Sequence, residues 1–292
     1  MQKVICIVGP TSSGKTSLAI DIAKEVGGEV ISADSRQVYR GLNLASGKAT
    51  EDEMNGVPHH LLDVADPKDV FSASDFVEEG RTILAQLEAR SVPAIVAGGT
   101  GFYIDALVGR ISLAEVEPNP QLRARLETKN IEELQHILEG MDPERYATID
   151  IHNPRRLIRS IEIAEALGKN PTPNETLLYD VLWIGIDVPF EELKEKIKQR
   201  LLERIDQGMV DEIASLKLTP ERLEQLGLEC RFVGRHLHQG LSHDDMLIQL
   251  EKEIVRYAKR QLTWFKKNTH IHWFNPKQHG NAIETAVQFI QT

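Results

Sequence analysis

No run of eighteen apolar residues occurs anywhere in the chain, so no transmembrane helix is expected. The N-terminus runs straight into a strand pattern, without the basic region, apolar core and cleavage site of a secretory leader, and a cytoplasmic location is expected. Only two cysteines occur in 292 residues, and neither has a neighbour at C-x-x-C spacing. Cys6 therefore reads as a reduced core residue and Cys230 as a reduced residue near a polar turn, with no disulfide framework between them. The ten histidines include the pair His59-His60 but no H-x-x-x-H frame, so no zinc site is expected. Excess positive charge is also absent: 34 Lys and Arg stand against 44 Asp and Glu, a net charge of −10. Taken alone, that balance argues against nucleic acid, but local distribution decides binding. No internal repeat or low-complexity tract interrupts the chain. Its 41% hydrophobic and 27% charged residues are ordinary for a globular protein.

What is present begins at the N-terminus. Val4-Ile5-Cys6-Ile7-Val8 is a short apolar run that reads as a buried strand. Gly9-Pro10-Thr11-Ser12-Ser13-Gly14-Lys15-Thr16 follows and fits G-x-x-x-x-G-K-[ST]. Leu18, Ala19, Ile22, Ala23 and Val26 then recur at helical spacing. Strand, glycine loop and helix in that order form a phosphate loop, the kind that binds ATP and other nucleotides. Backbone N–H groups and the helix N-terminus face an anion, Lys15 adds a mobile positive charge, and the Thr16 hydroxyl can reach a magnesium ion.

Further strands are expected at residues 29–33, 92–97 and 182–186, with a polar, proline-bounded connection at 57–66. A helix is expected from about Ser74 to Ala89, with Phe76, Val77, Ile83, Leu84 and Leu87 facing inward. Strands alternating with helices predict an α/β fold, a P-loop-type parallel sheet flanked by helices. Ligands in such sheets bind beyond the C-terminal strand ends. The loops Gly9–Thr16, Asp34–Gln37 and Gly98–Gly101 all fall there. From about Ser112 to Lys169 the texture becomes charged and helical, punctuated by Pro118, Pro120, Pro143 and Pro154. A helical insertion domain is expected over 112–179, between core segments 1–111 and 180–292. Pro189, with Glu191 and Glu192 behind it, marks the start of a helix running to about Gln207, and further helices are expected to fill the C-terminal third.

Several residue types in these loops carry chemistry. Asp34, at a strand end facing the phosphate loop, suits a magnesium ligand, a general base or a turn cap. Thr100, in Gly98-Gly99-Thr100-Gly101, stands where an ATPase would often place a metal-binding Asp; small residues and a hydroxyl suit close approach of a ligand, or a plain turn. Along residues 254–265, Ile254, Ala258, Leu262 and Phe265 make an apolar stripe. Arg256, Lys259, Arg260 and Thr263 fall on another face, which either tracks phosphates or is a solvated surface. The cluster Arg155-Arg156-Leu157-Ile158-Arg159 carries the same two readings. Tyr257 and Trp264 beside one basic face favour nucleic acid. The residues give a phosphate-binding α/β protein with a candidate base and two basic patches, and they do not name a reaction.

Taken together, the motifs resemble the bacterial tRNA dimethylallyltransferases, also called tRNA isopentenyltransferases. The resemblance covers nearly the whole chain. It is carried by Gly9–Thr16, Ser32-Ala33-Asp34-Ser35-Arg36-Gln37-Val38-Tyr39 with Gly41, and Val57-Pro58-His59-His60-Leu61-Leu62-Asp63. Gly98-Gly99-Thr100-Gly101, His152-Asn153-Pro154-Arg155-Arg156 and Tyr257-Ala258-Lys259-Arg260-Gln261-Leu262-Thr263-Trp264 complete it. The resemblance implies a transferase acting on tRNA with dimethylallyl diphosphate as donor and magnesium as cofactor, working as a cytoplasmic monomer. The acceptor it implies is the exocyclic amine of the adenosine just 3′ of the anticodon. By the same resemblance, Lys15 and Arg200 stabilise the leaving diphosphate in the Gly9–Thr16 loop, Thr16 holds the metal, Asp34 accepts the amine proton and Thr100 bonds nearby. Ser35, Arg36, Gln37, Arg155, Arg156, Arg159, Gly234, Arg235, Lys259 and Arg260 are expected at tRNA, together with Asp34 and Thr100. Two positions depart from the family pattern: Arg235 follows Gly234 where an aromatic residue is usual, and Arg204 stands where Met is common. Rival readings are an isopentenyltransferase of free adenine nucleotides, a small-molecule P-loop kinase and a noncatalytic RNA-binding module.

Overall fold

A computed structural model describes residues 1–171 and 177–292; residues 172–176 of the expected insertion lie outside the described residues. The chain divides into two units, Met1–Gly109 with Leu177–Thr292, and Arg110–Thr176.

The first unit is built on a six-stranded sheet: β1 (Lys3–Val8), β2 (Glu29–Ser32), β3 (His59–His60), β4 (Ala94–Gly98), β5 (Asp180–Ile186) and β6 (Ile271–Phe274). Their order is β3-β2-β4-β1-β5-β6, and every pairing is parallel. The central strand explains the apolar run at the N-terminus. Val4 to Val8 have no exposed surface, because β4 and β5 flank the strand and helices cover both faces. Register places Val8 beside both Gly98 and Gly185, and Ser32 beside Ala97. The loops after β1, β2 and β4 therefore leave the sheet at the same level.

Two strands differ from expectation. β3 lies within the 57–66 segment read as a connection, and β6 lies where only helices were expected. Two residues carry no readable alternation, and β3 is held from outside itself. His60 Nε2 lies 2.7 Å from Glu29 Oε2, and Arg90 grips the same carboxylate with bonds of 2.8 and 3.0 Å. Strand β6 has four residues and is defined by pairing with Trp183–Ile186 across a long sequence gap.

The helices follow local chemistry. The Ala73–Ala89 helix opens on a capping box between Ser72 and Asp75 and buries Phe76, Val77, Leu84 and Leu87. Ile83 is only half-buried, and Gly80 takes an inner position where a Cβ would meet Leu107 at 2.9 Å. The His243–Phe265 helix buries Met246, Leu250, Ile254, Ala258, Gln261 and Phe265. After Ala258 the helical period turns residue 261 inward in place of Leu262, so a glutamine continues an apolar stripe. Cys230 is buried in the first turn of the Leu228–Gln239 helix, and burial pushes its thiol up to about 12. Cys6 is buried as expected, its thiol also raised by burial, and both are free. No helix among the described residues is long and apolar enough to cross a membrane.

The second unit is helical among its described residues: Pro120–Glu127, Ile131–Met141, Pro143–Thr148 and Pro154–Leu167. The side chains of Asn119, Asn130, Asp142 and Asn153 each cap the helix that follows, and three of those helices place proline in the first turn. Leu122, Leu126, Leu134, Leu138, Leu157, Ile158 and Ile161 form the core. Glu162 is buried beside it. Burial alone would raise its carboxyl, but bonds from Arg123, the Asn119 N–H and Arg159 outweigh that and hold it at about 2. Its folded value lies below the unfolded one, so the stabilisation is present above pH 4.5 and is lost as pH falls toward 2. Replacement Glu162→Ala strands two guanidinium groups and should cost roughly 3 kcal/mol. Glu162→Gln should lose less melting temperature than wild type as pH falls through that window, measured by circular dichroism.

Candidate active site

The loop after β1 has three residues at positive φ: Gly9 at 152°, Ser12 at 60° and Gly14 at 93°. That backbone turns successive N–H groups toward one concavity, the geometry of an anion nest. The Lys15–Val26 helix starts at Gly14 without a side-chain cap, and its first internal bond runs from the Leu18 N–H to the Gly14 carbonyl. The N–H groups of Lys15, Thr16 and Ser17 are thus left for a ligand, with the positive end of the helix dipole behind them. Lys15 Nζ folds back and donates to the Pro10 carbonyl at 2.6 Å. Burial lowers its ammonium to about 8; the Asp34 carboxylate opposes that shift and Arg200 adds to it. The Ser13 hydroxyl is buried with no hydrogen-bond partner. Thr16 is exposed at the mouth of the loop.

The loops after β2 and β4 are stitched to one another. Gly98 passes so close to Ala33 that a Cβ would lie 2.1 Å from its carbonyl oxygen, so only glycine fits. The Thr100 N–H donates to the Ala33 carbonyl at 3.1 Å, and Thr100 Oγ1 accepts the Ser35 N–H at 3.1 Å. Asp34 Oδ1 accepts the Arg36 N–H at 2.9 Å in a local turn. The Tyr257 phenol lies in the neighbourhood of Thr100 and Asp34. Burial pushes that phenol up to about 12, with the Asp34 charge adding to the shift.

A third segment closes round this centre. Arg200, on the Phe190–Asp206 helix, donates to the Gly47 carbonyl at 3.2 Å. Burial lowers its guanidinium, the neighbouring Arg204 adds to that, and Glu53, Glu229 and Asp34 oppose it. It stays charged nonetheless. Arg204 donates to the Leu44 and Ala45 carbonyls at 3.0 and 3.3 Å, while the Glu212 carboxylate accepts the N–H groups of Asn43, Leu44 and Ala45. This departure from the family pattern therefore clamps the loop that Arg200 reaches. Lys15, Asp34, Thr100 and Arg200 form one cluster with Tyr257.

The residues expected at tRNA divide into two groups. Arg155, Arg156, Lys259 and Arg260 are exposed, with Arg156 3.6 Å from Asp150. Arg256, Lys259, Arg260, Thr263, Trp264 and Lys267 line a cavity of about 420 Å³. Others are occupied internally. Gln37 bonds Ser32 and the Gly47 carbonyl, and Arg36 donates to the Gln225 carbonyl at 3.4 Å. Arg159 spends its guanidinium on Glu162 and on the Ala114 and Val116 carbonyls. Arg235 grips Glu224 at 2.6 and 3.0 Å. Gly234 is buried where a Cβ would meet Leu223 at 3.0 Å, so its small size serves helix packing and not a surface contact.

Two contacts escaped the sequence reading. Buried Gln261 accepts the Thr11 N–H at 2.8 Å and donates to the Gly99 carbonyl at 2.9 Å. Trp264 Nε1 donates to Asp105 at 2.8 Å, and its ring lies where a Cβ on Gly101 would come within 2.3 Å. An inward glutamine in an apolar stripe was the available signal.

No group of three or more His, Cys, Asp or Glu that could hold a metal occurs among the described residues. The donors at the loop are hydroxyls, Thr16 at the mouth and the unpartnered Ser13 inside. That set fits a magnesium ion bound chiefly through a ligand's phosphate oxygens and water, and not a resident cage.

The profile of the IPP transferase family matches residues 37–268. A tRNA dimethylallyltransferase 2 of Treponema denticola is 40% identical, over 92% of this chain and 94% of that protein. A protein of the same name from Shewanella sediminis is 38% identical over 92% of both. Among solved structures, a full-length tRNA isopentenylpyrophosphate transferase from Bacillus halodurans aligns with a TM-score of 0.75 at 29% identity, over 100% of this chain and 97% of that one. A eukaryotic dimethylallyltransferase acting on tRNA aligns at 0.85 and 25% identity, over 98% of this chain and 78% of that one.

The Lys15 geometry yields a pH test. Above pH 8 the free ammonium loses its proton, so affinity for a diphosphate should weaken by up to tenfold per pH unit. Lys15→Arg, which stays charged, should show a flat profile over the same range in calorimetric titrations.

Proposed function

The chain belongs to the IPP transferase family, and we propose that it moves a dimethylallyl group from dimethylallyl diphosphate to the exocyclic amine of the adenosine immediately 3′ of the anticodon in tRNA. The activity is that of a tRNA dimethylallyltransferase, a prenyltransferase. The observation that carries the detailed reading is the joining of the phosphate loop to the Asp34 and Thr100 loops at one end of the sheet.

The reaction breaks the allylic C–O bond and forms a C–N bond, and the amine gives up a proton. The departing diphosphate collects negative charge, which the Lys15–Ser17 N–H groups, Lys15 and Arg200 are placed to stabilise. Thr16 would hold magnesium, which would supply further charge neutralisation on the diphosphate. Asp34 Oδ1 is taken by the Arg36 N–H, leaving Oδ2 to receive the amine proton. Thr100, fixed by the Ser35 N–H and the Ala33 carbonyl, orients the acceptor amine. The base must leave its stack to reach this depth.

Exposed Lys259 and Arg260, and Arg155 and Arg156 on the helical insertion, suit the phosphates of the acceptor. Ser35 and Arg36 border the base. The internal bonds of Arg159, Arg235 and Gln37 and the burial of Gly234 favour structural roles for those residues. We read the enzyme as a monomer, and tRNA as acceptor fits a cytoplasmic location.

The test is transfer of label from dimethylallyl diphosphate, with magnesium, to unmodified tRNA or to AMP. Label should enter tRNA and vanish when the adenosine beside the anticodon is replaced; label in AMP alone would contradict the proposal. Asp34→Asn should lower kcat by about 10²- to 10⁴-fold. Its tRNA affinity, read by filter binding, should stay within about twofold of wild type.

A further inference from the structure

Arg200 and Arg204 stand one turn apart on the Phe190–Asp206 helix, so their side chains share a face. Both reach the same loop. Arg200 donates to the Gly47 carbonyl at 3.2 Å, and Arg204 donates to the Leu44 and Ala45 carbonyls at 3.0 and 3.3 Å. Gly47, at a φ of 61°, makes room for both guanidinium groups: a Cβ there would fall 2.7 Å from Arg200 Nη2 and 3.3 Å from Arg204 Nη1. The two charges repel, and negative charge nearby must offset that.

The offset is not shared equally. Glu229, in the first turn of the Leu228–Gln239 helix, accepts from Arg204 Nη2 at 3.3 Å. The two side chains are only 13% and 19% exposed, so the pair is screened little by water. Among the described residues Arg200 has no ion pair, and its one hydrogen bond goes to the Gly47 carbonyl. A guanidinium has five N–H donors, so most of those of Arg200 remain unspent. The Glu229 charge nevertheless reaches Arg200, together with those of Glu53 and Asp34. Without Arg204, Glu229 would lose its ion-pair partner on a face that carries a second guanidinium with donors to spare.

We infer that Arg204 is a positioning residue for the proposed reaction: by engaging Glu229 and the Leu44 and Ala45 carbonyls, it keeps Arg200 unpaired for the donor diphosphate. The inference rests on the reading of Arg200 as a cation that meets that diphosphate. Removal of Arg204 leaves Glu229 to pair with Arg200, which draws the guanidinium from the site and cancels its charge. The leaving group then loses one of its two cationic side chains.

Steady-state prenyl transfer to tRNA, with dimethylallyl diphosphate varied, tests this on the full chain. Arg204→Met should lower kcat/KM for the donor by about tenfold and leave KM for tRNA within about twofold of wild type. Adding Glu229→Gln removes the carboxylate that Arg200 would capture, and the double variant should return to within about threefold of wild type. A merely structural role gives no such rescue, because each substitution removes a contact. Arg204→Lys keeps a charge opposite Glu229 but cannot fork onto two carbonyls. It should stay within about threefold of wild type, and it carries the test if Arg204→Met fails to fold. Unchanged donor kcat/KM in folded Arg204→Met overturns the inference. So does a loss that Glu229→Gln leaves in place or that Arg204→Lys reproduces. Arg200→Gln separates the two readings. A loss of about tenfold or more there upholds Arg200 as the donor's cation whatever Arg204 does, whereas unchanged donor kinetics overturn that reading and the inference together.

Discussion

Three parallel strands end at one level, and hydrogen bonds between their loops convert that alignment into a site. Gln261 joins the loop after β1 to the turn after β4, and Thr100 joins that turn to the loop after β2. Neither join is local in sequence. Without them the loops would be independent surface turns, each free to move by more than the reacting atoms can tolerate. With them, the phosphate loop, Asp34 and Thr100 are carried by one end of the sheet. The close approach of Gly98 to Ala33 makes the same point sterically, since a single methyl group there would drive the loops apart.

Electrostatics explains why such a site suits an anion in a chain of net charge −10. Lys15 and Arg200 are drawn partly out of water, and burial pulls both below their usual values. Among the described residues neither makes an ion pair within salt-bridge distance, and the Asp34 charge acts on both. In the proposed reaction a diphosphate would supply negative charge there and replace the lost hydration. Local arrangement overrides net composition, as it does on the exposed face bearing Lys259 and Arg260. The acidic majority is spent elsewhere, on partners such as Glu162 with Arg123 and Arg159, or Glu224 with Arg235.

Legibility in the sequence followed the range of the interaction involved. The phosphate loop, the central strands and the helix starts were readable because each is set by neighbours within a few residues: glycine at positive φ, apolar runs, Asn or Ser caps. Asp34 and Thr100 were readable as strand-end residues, while the bonds that tie their loops together, from Thr100 to Ala33 and from Ser35 to Thr100, were not. Gln261 and Glu212 were invisible as loop clamps because their partners lie 150 or more residues away. Arginine clusters were ambiguous for a different reason. The same guanidinium serves phosphate or carboxylate, and the buried Glu162 that engages Arg159 decided for packing. That pair sits at i and i+3 on one helix, a spacing the sequence displayed. Strands β3 and β6 were too short to show a period.

The central claim is that donor diphosphate and acceptor amine meet between the phosphate loop and Asp34. The most direct test is a crystal structure with a non-reacting thiolodiphosphate analogue of the donor and an anticodon stem-loop RNA. The account predicts the diphosphate on the N–H groups of Lys15 and Thr16 and the adenosine amine within hydrogen-bond distance of Asp34 Oδ2. A diphosphate seated away from that loop, or an adenosine still stacked in the RNA with Asp34 facing water, would contradict it.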